Sequence, residues 1–236
     1  MKIENRVIDK SSPAFIIAEL SANHNGSLKT AIETIKAAKR AGADAIKHQT
    51  YTADSMTIKS NKSDFIINNG SIWDGNTLYD LYKKASTPWE WHEQLFNFAK
   101  EQELTCFSTP FDKDAVDLLE KIKNPIYKIA SFEIRDIELI RYAALKMKPI
   151  ILSSGIASKK DIELAIKTCR ETGNDQIALL KCTSSYPAPI KEANLIMIKD
   201  LAEKYKCISG LSDHTIGSLA PVVATGSSNV AGSAVE

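Results

Sequence analysis

Lysines, hydroxyls and carboxylates gather just where a series of short apolar runs comes to an end. AFIIAEL closes on Glu19 and the loop SANHNG, DAIKHQTY carries Lys47, His48 and Gln49, and TCFSTPF carries Ser108 and Thr109. IYKIASFE brings Lys128, Ser131 and Glu133, and PIILSSG ends in Ser153 and Ser154. IALLKCTSSYP holds Lys181, Thr183, Ser184 and Tyr186, and CISGLSDHT holds Ser212, Asp213 and His214. Lysine supplies point charge and serine or threonine adaptable donors, so two or three lysines among hydroxyls form a mouth for phosphate or carboxylate. Singly, these residues have plainer uses: serine caps the next helix, and lysine lays its stem along apolar surface or pairs with Glu19 or Glu133. His214 has three readings: metal ligand, general base, or hydrogen-bonded loop histidine. His24, before Gly26, fits a turn, and strand alternation points His48 away from Lys47 and Gln49. Lys181 also permits a Schiff-base aldolase, in which a desolvated lysine attacks a carbonyl and Tyr186 or Glu133 carries the proton.

The elements that must position these groups alternate regularly. Each apolar run is rich in β-branched residues, and amphipathic stretches such as Leu28, Ala31, Ile32, Ile35, Ala38 separate them. Runs such as FIIAEL, PIILSS and IALLKC are apolar on both faces, as parallel strands covered by helices must be. The pattern predicts an α/β fold, a (β/α)8 TIM-type barrel, with strands beginning near Phe15, Ala45, Cys106, Tyr127, Ile150, Ala178 and Ile208. An open doubly wound sheet is the alternative, but no strand ends in GxGxxG or GxxxxGK. Barrel active sites lie at the C-terminal strand ends, where the polar residues collect. Residues 52–88 form a long insertion after the second strand, either a lid or a surface excursion. Ser158 and Asp161 fit a capping box.

Charge excludes several classes of partner. Thirty Lys and Arg against twenty-nine Asp and Glu leave +1, too weak a field for nucleic acid or an anionic membrane. Four scattered cysteines make neither a disulfide scaffold nor a CxxC zinc site, and no apolar stretch reaches the ~18 residues of a membrane span. A small-molecule partner and a cytoplasmic location are expected.

In order and spacing, IAELSANHNGS, KHQTYT, FSTPFD, YKIASFEI, PIILSSGIAS, LLKCTSSYPAP and GLSDHT resemble the barrel domain of the sialic acid synthase family, from about Phe15 to Val223. AELSANHNG, KIASFE and YPAP are most similar to the branch that makes pseudaminic acid. The resemblance implies condensation of phosphoenolpyruvate with an N-acylated aminosugar, here 2,4-diacetamido-2,4,6-trideoxy-altrose, with phosphate leaving by C–O cleavage. It implies that Lys47, Thr109, Lys128, Ser131, Ser153, Ser184 and Ser212 hold phosphoenolpyruvate, and that Gln49 and Tyr186 face the sugar. Glu133 would be the acid/base, Glu19 a second carboxylate, and His214 a ligand of a divalent metal, Mn2+ or Mg2+, that polarises the aldehyde. Ser184 stands where many relatives have Asn.

Full-length members are homodimers that continue into an eighth strand with a second metal-binding His, and then into an antifreeze-like domain. Neither feature is legible here. The expectation is therefore a barrel over 1–225 truncated after strand 7, a gap between strands 7 and 1, and a disordered small-residue tail at 226–236. A synthase for N-acetylneuraminate or legionaminate, or an impaired barrel that only binds a ligand or partner subunit, are the rivals.

Overall fold

The computed structural model describes residues 1–9, 11–68, 70, 73–226 and 234–235. A two-stranded antiparallel hairpin, β1 (Lys2–Ile3) and β2 (Arg6–Val7), precedes the barrel strands β3 (Phe15–Glu19), β4 (Ala45–Thr50), β5 (Thr105–Pro110), β6 (Tyr127–Ile129), β7 (Ile150–Ser153), β8 (Ile177–Cys182) and β9 (Ile208–Ser212). Each pairs in parallel with the next in chain order. Every start lies within one residue of the position expected from the apolar runs.

Alternation along these strands builds two apolar layers. Phe15, Ile17, Ala45, Phe107, Ile151, Ala178 and Leu180 face inward and pack together with Ile3 and Ile8 of the hairpin region. Ile46, Cys106, Tyr127, Ile129, Leu152, Ile177 and Leu179 face outward against the helices. Those helices are α1 (Leu28–Arg40), α4 (His92–Glu101), α5 (Lys113–Lys121), α6 (Ile137–Ala144), α7 (Lys159–Glu171) and α8 (Ile196–Tyr205). Ser27, Asp112 and Asp136 cap α1, α5 and α6, and Ser158 with Asp161 forms the expected capping box on α7. The insertion is built from α2 (Ala53–Met56), a 3-10 turn at Ser63–Phe65 and α3 (Leu78–Ala85). It is anchored by Tyr51, whose ring meets Tyr82 edge-on at 6.1 Å.

Closure of the barrel corrects one expectation. After α9 (Leu219–Gly226), the two-residue strand β10 (Ala234–Val235) pairs in parallel with Phe15 and Ile16 on one side and Leu211 on the other. Backbone pairing needs no apolar run of its own, so two residues bridge the gap predicted between strands 7 and 1. The rest of the predicted disordered tail, 227–233 and 236, lies outside the described residues. No helix among the described residues is long and apolar enough to cross a membrane.

His48 points outward, as alternation requires, and is buried against Phe96 with neither ring nitrogen partnered among the described residues. Burial, then the charges of His92, Lys47 and His24, push its pKa down to about 3. The unfolded chain therefore binds this proton from about pH 6.5 downward, while the folded chain refuses it until about pH 3. Stability contributed by neutral His48 is complete above that upper value and is lost as pH falls through the window, by about 1.4 kcal/mol per unit. Urea unfolding at pH 6.5 and pH 5 should show this slope, and His48→Leu should remove the His48 share of it, leaving that of His24 and His92, whose pKa burial also lowers. An equal slope in both proteins would mean that His48 is hydrated or partnered in solution.

Candidate active site

The inward side chains turn from apolar to polar at the C-terminal strand ends. Above Ile17, Ala45, Phe107, Ile151 and Leu180, the same faces present Glu19, Lys47 and Gln49, Thr109, Ser153 and Cys182. Lys47 is only 3% exposed, is ion-paired with the Glu19 carboxylate, and lies 3.4 Å from the Thr109 hydroxyl. Glu19 Oε1 accepts the Ser21 amide at 2.7 Å, and the Ser21 hydroxyl donates to Gln49 Oε1 at 3.2 Å. Strands β3, β4 and β5 thus contribute one connected network.

Across the mouth, Lys128 is also 3% exposed, and its charge acts on Glu133 and on Cys182. The Ser131 and Ser184 hydroxyls lie 2.7 Å apart and join the loops after β6 and β8. Between them passes the loop after β7, and a Cβ on Gly155 would lie 2.0 Å from Ser184 Oγ and 2.2 Å from Ser131 Oγ. Only glycine lets the backbone approach this closely. Ser153 is 1% exposed and its hydroxyl has no partner among the described residues, so it is not spent on a helix cap. Ser212 is buried at the end of β9.

Glu133 opens a 3-10 turn, Glu133–Arg135, rather than ending strand β6 as its string implied. Its Oε2 is buried without a partner among the described residues. Burial pushes its pKa up, opposed by its own backbone amide and by Lys128. His214 Nδ1 lies 2.9 Å from the Thr183 carbonyl, which makes Nδ1 the donor and leaves the ring lone pair on Nε2. The Tyr186 ring packs on His214 with centroids 4.2 Å apart.

Two sequence expectations are displaced. Lys181 sits between inward Leu180 and inward Cys182, so it faces the other way and donates to the Cys182 carbonyl at 2.9 Å and the Thr183 hydroxyl at 2.6 Å. The Schiff-base reading thereby loses its nucleophile. Ser108 also faces outward, 2.6 Å from the Thr50 hydroxyl, which in turn meets His92 Nε2 at 2.8 Å. Three residues went unread: Ser21, Gly155, and Cys182, whose Sγ lies 3.8 Å from His214 Nδ1 and 3.9 Å from Ser184 Oγ. Counting alternate residues from Leu180 would have found Cys182.

Among the described residues no group of three or more His, Cys, Asp or Glu is placed to hold an ion, and His214 offers one imidazole. His214 is the described residue that would hold an ion here, and no chemical step is assigned to a metal. A cleft of about 740 Å³ at the other end of the barrel, lined by Arg6, Phe96 and Lys100 among others, contains none of these mouth residues.

A family model described as the NeuB family matches residues 34–230. The chain belongs to the NeuB family. It is 53% identical to the pseudaminic acid synthase of Helicobacter pylori, over 90% of this chain and 62% of that protein. To the N,N'-diacetyllegionaminic acid synthase of Legionella pneumophila it is 37% identical, over 92% of this chain and 62% of that one. Among solved structures, the N-acetylneuraminic acid synthetase of Leptospira borgpetersenii in complex with citrate superposes with a TM-score of 0.86 at 32% identity, covering 100% of this chain and 76% of that one. The NeuB-family chain thus spans somewhat under two thirds of the length of these curated relatives.

Proposed function

We propose that the mouth condenses phosphoenolpyruvate with an N-acylated aminosugar to form a nonulosonic acid, the acceptor being 2,4-diacetamido-2,4,6-trideoxy-altrose. The observation that carries this reading is the pair of buried lysines, Lys47 and Lys128, facing one opening with the hydroxyls of Thr109, Ser131, Ser153, Ser184 and Ser212. Lys47 pairs with Glu19, and two ammonium charges set among hydroxyl donors suit a small molecule that carries both a phosphate and a carboxylate. The much higher identity to a pseudaminic acid synthase than to a legionaminic acid synthase favours the altrose-derived acceptor.

C3 of phosphoenolpyruvate attacks the sugar aldehyde, the electrons of its double bond forming the new C–C bond. Glu133, whose burial favours the protonated form more than in an ordinary glutamate, gives its proton to the aldehyde oxygen. Water adds at C2, with the Glu19 carboxylate beside Lys47 taking one proton, and the tetrahedral C2 then becomes a ketone as its C–O bond to phosphate breaks and the hydroxyl proton leaves with the phosphate. Two carboxyl groups in unlike surroundings divide the acid and base work. Gln49 and Tyr186 face the sugar. On this reading the partners are these two small molecules rather than nucleic acid or membrane, the compartment is the cytoplasm, and the working assembly is a homodimer.

Calorimetric titration with phosphoenolpyruvate tests the reading. The chain should bind it, and Lys128→Ala should weaken binding by about 10- to 100-fold, the worth of a hydrogen bond to a charged group. The thermal midpoint should stay unchanged, because Lys128 lines the mouth rather than the core. Lost binding together with lost folding would make Lys128 a structural residue.

A further inference from the structure

We propose that Phe132 selects the sugar by offering an apolar wall to its methyl groups; this rests on the condensation described above and names the residue that sets its acceptor. Phe132 is 59% exposed although both chain neighbours are built into the mouth. On one side Ser131 is held by Ser184 at 2.7 Å, and on the other Glu133 keeps a buried, unpartnered Oε2. Its backbone lies in the right-handed helical region (φ −78°, ψ −35°) where the 3-10 turn Glu133–Arg135 begins.

The serine bridge also sets the ring's neighbourhood. Tyr186 follows Ser184 by two residues as Phe132 follows Ser131 by one, so each bridging serine has an exposed aromatic residue within two positions along the chain. Tyr186 is occupied by packing on His214. Phe132 has no ring partner among the described residues. A large apolar side chain left in water beside an anion cradle and a carboxylic acid gains most from a ligand that is polar at one end and bears methyl groups at the other. An acetamido-substituted, 6-deoxygenated sugar has that character, whereas a hexosamine with a single acetamido group and a C6 hydroxyl has less of it.

Saturation-transfer NMR and calorimetry without phosphoenolpyruvate, so that the sugar is not consumed, using 2,4-diacetamido-2,4,6-trideoxy-altrose and N-acetylmannosamine as probes, test this. The unsubstituted chain should prefer the first sugar and saturate its methyl protons. Phe132→Ala should cut that preference about tenfold, the scale of small apolar groups in a pocket. Phe132→Tyr should retain it, and phosphoenolpyruvate affinity should hold within about twofold in both variants, since the wall is proposed to meet the sugar alone. An unchanged preference in Phe132→Ala, or an equal loss for both sugars, would overturn the proposal and leave the condensation standing. Failure of the unsubstituted chain to bind either sugar would overturn the condensation, and the proposal with it. Loss of phosphoenolpyruvate affinity in Phe132→Ala would show a distorted cradle and would also count against the wall.

Discussion

Gly155→Ala is expected to remove most of the affinity for phosphoenolpyruvate while leaving the barrel folded. The added methyl would overlap two hydroxyls at 2.0 and 2.2 Å, and Cys182 Sγ would sit at 3.1 Å. Both serines must rotate away, which breaks their mutual bond and turns two donors out of the cradle. Rotating a serine costs little in folding, so the loss falls on binding: each hydrogen bond to a charged ligand is worth about 1.5–3 kcal/mol, and at least a tenfold weakening follows. Calorimetry beside thermal unfolding separates the two effects. Unaltered affinity would show that Ser131 and Ser184 do not touch the anion.

Glu133→Gln is expected to lower turnover by about 10²- to 10⁴-fold, the usual contribution of a positioned general acid, with phosphoenolpyruvate affinity nearly intact. Glutamine keeps the shape but has no acidic proton to give. Burial raises the Glu133 pKa, so the protonated form survives to higher pH than in an ordinary glutamate, and the rate should fall as pH rises through that elevated value. The variant's residual rate should lack this limb. The same alkaline fall in Glu133→Gln would assign the limb to another group, and an undiminished rate would remove Glu133 from the chemistry.

The strands were legible because buried parallel strands leave continuous apolar runs, and FIIAE, IILS and IALLKC became β3, β7 and β8 within a residue. Lys47, Thr109, Lys128 and Ser153 were legible for a related reason, being the first polar residues on faces that are apolar below. Lys181 was misassigned because proximity to a strand end does not give the face, whereas counting from Leu180 does. The β1–β2 hairpin was missed because strands of two residues carry no periodicity, and β10 for the same reason. Gly155 reads in sequence as a turn after Ser153 and Ser154; that it sits against two hydroxyls from other loops is a tertiary fact.

The most direct test of the account uses phosphoenolpyruvate carrying ¹⁸O in the bridge between C2 and phosphorus. Incubated with the chain and the diacetamido sugar, it should release phosphate containing the bridge oxygen, seen as an isotope-shifted ³¹P resonance, and release should require the sugar. Unlabelled phosphate would place the cleavage at the P–O bond, and release without the sugar would mark a phosphatase; either result would contradict condensation at this mouth.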